Sequence, residues 1–259
     1  MPLQISISNA IGSRGVTAAG GFDPDAQAFI TAAAITDPTQ QSAINQLVVD
    51  LKGYSIWSKM KALYPFVGGT ATSHSYNLKN TAQFQLTFNG AATHNSNGYA
   101  NTGFNPNTQF STNNSAHLSF YSRTNNDLGG LDFGSQLVSA VSGLYARYSN
   151  NAYAYIHGGV GVITANTNST GFYVGTRTSA SALKLFKNNA QLGSTYTGAS
   201  GARGEINLFL GCLNFQGNAQ YYAQRNYAFA SIGDGLTDAE AANFYTAVQA
   251  FQTTLGRQL

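Results

Sequence analysis

The sequence predicts a mainly β chain: an antiparallel sandwich with a small N-terminal helical module and a C-terminal helix. Three observations carry this. After Gly68-Gly69 the chain breaks into short alternating or aromatic runs punctuated by Asn, Gly and Ser, without the long helical segments that βαβ crossovers require. Before that point, Asp23-Pro24 and Asp37-Pro38 each open a helical segment. Near the end, Thr237-Asp238-Ala239-Glu240 has the spacing of a capping box.

In chain order, Leu3, Ile5 and Ile7 alternate with polar residues, a short strand signal inside an arm over residues 1–22. Residues 23–66 read as the helical module. Asp23 is an N-cap, Pro24 fits the first helical position and Asp25 complements the helix dipole. Asp37-Pro38 repeats the pattern, and Ile44, Leu47, Val48 and Leu51 make an i, i+3, i+4, i+7 stripe that Gly53 closes. Residues 54–63, with Trp57 and Met60, give a third short helix before Tyr64-Pro65. The body, residues 67–259, carries strand patterns at 83–88, 117–123, 143–148, 152–157, 171–177, 182–186, 206–213 and 227–232. No proline follows Pro106, so the later strands are free to sit centrally in sheets. Lys187-Asn188-Asn189-Ala190 is a hairpin turn signal. In the last helix Phe244, Val248, Phe251 and Leu255 share a face, and Gly256 is its natural stop.

Composition narrows the function. Charged residues are 9% of the chain, against roughly 25% in an average soluble protein, while Asn (25), Gln (16) and Gly (28) are abundant. A neutral amide and hydroxyl coat suits sugars or close packing among copies better than electrostatic steering. The net charge of +3 comes from scattered Lys and Arg, densest at Lys59 and Lys61, which argues against nucleic acid. Cys212 is the single cysteine, in an apolar run, so it reads as a buried inert thiol. The N-terminus lacks a signal peptide pattern and no segment approaches eighteen apolar residues, so synthesis in the cytoplasm without membrane insertion is expected.

Three stretches carry a resemblance: residues 117–124 (HLSFYSRT), residues 175–188 (GTRTSASALKLFKN), and residues 228–236 running into the capped helix. The body from about residue 67 resembles the laminin-G-like branch of the concanavalin-A-like jelly rolls. Residues 23–30 (DPDAQAFI) and 53–65 (GYSIWSKMKALYP) resemble a module found before such jelly rolls in tailed-bacteriophage structural proteins. Together these cover most of the chain. The resemblance implies a virion structural or adhesive protein, of head-fibre, decoration or tail-fibre type, synthesised in the host cytoplasm. Its implied partners are other virion proteins and sister subunits in a homo-oligomer, with host-surface glycan as a further one. It leaves open a glycan depolymerase on the same fold and a capsid or neck protein with no ligand. Calcium is used by some relatives, but no run of Asp and Asn here compels it, and no cofactor is expected.

Relatives that hydrolyse glycosides carry a Glu-x-Asp-x-x-Glu strand, whereas this chain has only Glu205 and Glu240. Glu240 belongs to the helix cap and Glu205 has no acid beside it in sequence. Paired carboxyls about 5–9.5 Å apart are required, which leaves only Asp127 and Asp132 meeting across a loop, where Asp127-Leu128-Gly129-Gly130 reads more simply as a turn. No catalytic residue is assigned. His74, His94, His117 and His157 lack metal-ligand spacing, and no metal site is assigned. Gly158-Gly159-Val160-Gly161 lacks the ending of a phosphate loop. Glycan candidates come from loops mixing aromatics, which stack on sugar C–H faces, with amide or guanidinium donors. They are Asn95, Tyr99 and Asn101; Asn151 and Tyr153 in the run 148–155; and Tyr221, Tyr222 and Arg225. The same loops equally suit burial against neighbouring subunits. Arg123 and Arg177, in similar contexts, are read as anchors of strand ends.

Overall fold

A computed structural model describes residues 21–90 and 98–259. The predicted strand at Leu3–Ile7 and the candidate Asn95 lie outside the described residues. Both Asp-Pro steps start helices. Asp23 Oδ1 accepts from the Asp25 amide at 3.0 Å ahead of α1 (Pro24–Ala32), and Asp37 Oδ1 accepts from the Gln40 amide at 2.8 Å ahead of α2 (Pro38–Gly53). The expected stripe Ile44, Leu47, Val48 and Leu51 is buried.

The third helix expected over 54–63 does not form. A single 3₁₀ turn, Trp57–Lys59, leads into strand β1 (Met60–Tyr64). The strand pairs with β15 (Tyr227–Gly233), with Leu63 turned toward the helices and Ala62 and Tyr64 toward the sandwich interior. Five residues buried almost throughout show neither period clearly, so the i, i+3 spacing of Trp57 and Met60 imitated a helix.

The chain continues through α3 (Ala71–Ser75), β2 (Thr87–Asn89), β3 (Tyr99–Asn101), α4 (Pro106–Gln109), β4 (Ala116–Ser122), β5 (Phe133–Leu137), β6 (Ala140–Tyr148) and β7 (Asn151–Tyr155). Then come β8 (Val162–Ala165), β9 (Gly171–Ser179), β10 (Ala182–Lys187), β11 (Ala190–Gln191), β12 (Phe209–Leu210), β13 (Leu213–Phe215), β14 (Asn218–Gln220), β15 and α5 (Asp238–Thr254). The run 206–213, read as one strand, is divided into β12 and β13 because Gly211 takes φ +90° and turns the chain. The strand expected at 83–88 shrinks to β2.

Among the described residues, six strands form one sheet in the order β1-β15-β4-β9-β10-β11. A second sheet runs β2-β3-β12-β5-β6-β7-β8, with β13 and β14 joined to it off this path. Pairing is antiparallel except between β13 and β5. The architecture is therefore an antiparallel, jelly-roll-like sandwich with helices laid on one side.

Alternation along the six-stranded sheet serves two cores. Leu118 and Phe120 of β4 and Tyr173 of β9 point between the sheets, where they meet Phe133, Leu144, Ala152 and Ala154. Tyr121, Phe172 and Val174 point the other way, onto Phe29 and Ile44 of α1 and α2 and onto Phe244, Val248 and Phe251 of α5. The outer face of the six-stranded sheet is thus covered by the chain's own helices. Among the described residues no helix covers the outer face of the other sheet.

The cap of α5 forms as its sequence predicts. The Glu240 amide donates to Thr237 Oγ1 at 3.3 Å and the Thr237 amide to Glu240 Oε2 at 2.8 Å. Lys59 Nζ, 2.6 Å from the same Oε2, ties the helix start to the turn before β1. At the other end Gly256 has φ +63°, and the Arg257 amide donates back to the Gln252 carbonyl at 2.8 Å.

Candidate functional site

The outer face of the second sheet is built by simple alternation. In β7, Ala152 and Ala154 point into the sandwich, so Asn151, Tyr153 and Tyr155 point out. In β6, Leu144 and Ala146 are the inward residues and Tyr145 is the outward one. A two-residue turn joins them, Ser149 and Asn150 both at positive φ (+48° and +58°), a conformation that suits the twist of a tight hairpin.

This register sets Tyr145 directly opposite Tyr153, with ring centroids 5.3 Å apart edge to face. Tyr153 stacks along its own strand on Tyr155 at 6.3 Å, and Tyr148 lies 6.1 Å from Tyr153 and 6.2 Å from Tyr145. On the next strand Ile163 stands opposite Tyr153 and is exposed. Val138, Tyr148, Val160 and Ile163, half of the large hydrophobics most open to solvent among the described residues, fall on β5 to β8 or their connections. These exposed side chains gather on one side of the sandwich instead of being scattered over the surface. Burial first, then the neighbouring Tyr155 and Tyr221, raise the Tyr145 phenol above its ordinary range, so it remains a protonated donor.

Two polar assemblies hold the face in place. Arg147 pairs with Asp127 at 3.5 Å and donates to Asn150 Oδ1 at 2.5 Å, while the Asn150 amide donates to Asp127 Oδ2 at 3.0 Å, which clamps the hairpin tip. Beneath the sheet Arg225 Nη1 binds Asp132 Oδ1 at 2.8 Å and Oδ2 at 2.9 Å, both side chains fully removed from solvent. Asp132 also accepts from the Ala146 amide (2.6 Å) and the Tyr227 hydroxyl (2.7 Å), and Arg225 Nη2 donates to the Arg147 carbonyl (2.8 Å). The ion pair therefore grips β6 at Ala146 and Arg147, immediately after Tyr145.

Arg225, expected to meet a sugar, is corrected by this geometry: its guanidinium is buried against Asp132 and works as a support. Asn151 and Tyr153 lie on the open face, in β7, where a strand was expected at 152–157. Asn151 Nδ2 donates back to the Ser149 carbonyl at 2.9 Å. Tyr221, 56% exposed, comes close enough to influence Tyr145. Tyr99 and Tyr222 gather in a separate group, Tyr99 stacking on Phe209 at 4.7 Å with Tyr222 6.3 Å away. Asn101 Oδ1 accepts from the Gly103 amide at 2.9 Å and so shapes its own turn. Tyr145 and the wall it makes with Tyr155 were not anticipated. Their signal was the Tyr-Ala-Tyr alternation of 153–155, which commits the tyrosines to one face once alanine is assigned to the other.

The conceivable catalytic pair is engaged elsewhere: Asp132 with Arg225, Asp127 with Arg147. Asn107 Nδ2 donates to Glu205 at 3.0 Å. His117, Ser231 and Ser119 form a hydrogen-bonded chain (3.0 and 2.6 Å), yet all three are fully buried beneath Phe244, out of reach of any substrate. Arg177, read as a strand anchor, donates to the Ile156 and Ala180 carbonyls at 2.8 and 2.7 Å. Burial pushes the Cys212 thiol up to about 12, which suppresses its thiolate. Among the described residues no group of three or more His, Cys, Asp or Glu is placed to hold a metal ion, and no helix is long and apolar enough to cross a membrane.

No protein-family model matches the sequence, and no curated protein matches it. Solved structures do. The binding domain of botulinum neurotoxin serotype D is 12% identical, with a TM-score of 0.50 over 74% of this chain and 51% of that one. A mutant Trypanosoma rangeli sialidase displaying trans-sialidase activity is 9% identical, with a TM-score of 0.50 over 82% of this chain and 39% of that one. The chain thus spans about half of the first structure and about two fifths of the second. At such identity the likeness is one of fold: the antiparallel, jelly-roll-like sandwich described above.

Proposed function

We propose that this chain binds glycan through the tyrosine face of β6 and β7. The observation that carries the reading is the group of four tyrosines, Tyr145, Tyr148, Tyr153 and Tyr155, on a sheet face that no helix among the described residues covers. Aromatic rings offer flat apolar surfaces for sugar C–H groups while their hydroxyls donate to sugar oxygens. The amide-rich, weakly charged composition fits a neutral polar ligand. Of the two solved structures described above, one is named a binding domain and the other a sialidase, which accords with the reading at the level of architecture.

From the sequence resemblance we further propose a bacteriophage particle as the setting, with the domain attached through its N-terminal part and displayed in several copies. Symmetric display would raise weak single-site contacts to useful avidity. We read the role as binding rather than cleavage because Asp127 and Asp132 are taken up by arginines. The test is a glycan array probed with the full chain and with Tyr153→Ala. Signals on glycans that disappear in the variant support the reading, and silence of the intact chain overturns it. Release of reducing ends would instead make it a depolymerase, and absence of the chain from purified virions by mass spectrometry would remove the phage setting.

A further inference from the structure

A pocket of about 250 Å³ opens beside Tyr145 and Tyr155, in the angle between the hairpin and the β5–β6 turn. Leu131, Val141 and Leu213 give it apolar walls, and among the described residues no Asp, Glu, Lys, Arg or His lines it. Its polar groups are neutral: the phenols, the Ser139 hydroxyl and the Gln136 amide. Gln136 Nε2 makes only a long bond to the Val138 carbonyl, 3.3 Å, and Gln136 Oε1 has no hydrogen-bond partner among the described residues.

This lining discriminates among sugar substituents. A carboxylate or ammonium would lose water against apolar walls and find no opposite charge. A bare hydroxyl would leave Leu131, Val141 and Leu213 uncovered, and a methyl alone would leave Gln136 unmatched. An acetamido group satisfies each wall at once: its methyl against the aliphatic side chains, its N–H toward Gln136 Oε1, and its carbonyl toward the Ser139 or tyrosine hydroxyl. Resting on the glycan-binding reading above, we infer that the pocket receives the acetamido substituent of a neutral N-acetylhexosamine whose ring lies on the adjoining tyrosines.

Calorimetric titration of the full chain with tri-N-acetylchitotriose and with cellotriose tests this, since the two share a β-1,4 backbone and differ at the acetamido position. Chitotriose should bind at least about tenfold more tightly, the scale expected when a small group fills a matched pocket. Gln136→Ala, on the surface, should reduce that preference, and Val141→Trp, which fills the pocket, should abolish it, with cellotriose binding unchanged in both. Thermal melts confirm that the variants fold. Equal affinity for the two trisaccharides, or a preference that survives both substitutions, overturns the inference. If the equal binding is lost in Tyr153→Ala, the tyrosine-face reading stands without it. If chitotriose fails while other neutral glycans bind, only the acetamido assignment falls; silence toward all of them removes both.

Discussion

At the scale of single residues, the molecule separates side chains that meet solvent from those that hold them. Tyr153 is half-buried among other tyrosines, so Tyr153→Ala should weaken sugar binding about tenfold, one aromatic contact's worth of about 0.5–1.5 kcal/mol, with little change in melting temperature. Asp132 behaves in the opposite way. Asp132→Ala leaves the Arg225 guanidinium buried without its partner and should cost about 3–5 kcal/mol in a denaturant titration, although neither residue stands on the tyrosine face. The histidines set a pH limit. Burial, the largest influence on each, holds His117 and His157 at about 4, below the usual 6.5 of an exposed imidazole. As pH falls below 6.5 the unfolded chain takes up these protons first, so stability is complete above that pH and declines toward pH 4. The slope is on the order of 1.4 kcal/mol per pH unit for each histidine. Thermal melts of the parent and of His117→Asn, stepped from pH 7 to pH 4, should show a shallower decline in the variant. Arg225 illustrates why residue chemistry misled: a guanidinium between aromatics looks the same in sequence whether it faces a sugar or a buried carboxylate. Asp132, ninety-three positions earlier, decides between them.

At the scale of elements, helices were the more legible. Asp-Pro starts, the Thr237–Glu240 box and the Gly256 stop each act within one turn, so their physics is contained in a few consecutive letters. Thr237→Ala should accordingly cost about 1 kcal/mol, and Phe244→Ala about 3–5 kcal/mol, because Phe244 sits among His117, Phe172 and Phe229 on the sheet beneath it. Denaturation midpoints would register both, and a negligible loss in Phe244→Ala would contradict the packing described. Long strands such as β4, β9 and β15 were legible from their aromatic alternation. Short ones were not: β3, β8, β12 and β14 span two to four residues, too few to show a period, and exist because neighbours supply hydrogen-bond partners. Strand β1 was mistaken for helix for the same reason, its identity fixed by pairing with β15 some 170 positions away.

At the scale of the whole molecule, the helical module and the sandwich share a core. Phe29, Ile44, Leu47 and Val48 pack with Tyr121, Phe172 and Phe229 of the six-stranded sheet, and β1 is that sheet's edge strand. A chain beginning at residue 67, the boundary read from sequence, would lose β1 and bare this apolar face, so it should express as aggregate, whereas one beginning at residue 21 should remain monodisperse by size-exclusion chromatography. Sequence by itself determined the class of fold, the starts and stops of the principal helices, the sparse charge and the tyrosine-rich stretch on which the binding proposal rests. These follow from local propensity, periodicity and composition, which act between near neighbours along the chain. Only the tertiary structure decided which sheet face lies open, that Tyr145 joins Tyr153 and Tyr155 there, and that Arg225 stands behind the face instead of on it. Those outcomes depend on strand register and burial, and both are settled by partners that are distant in sequence.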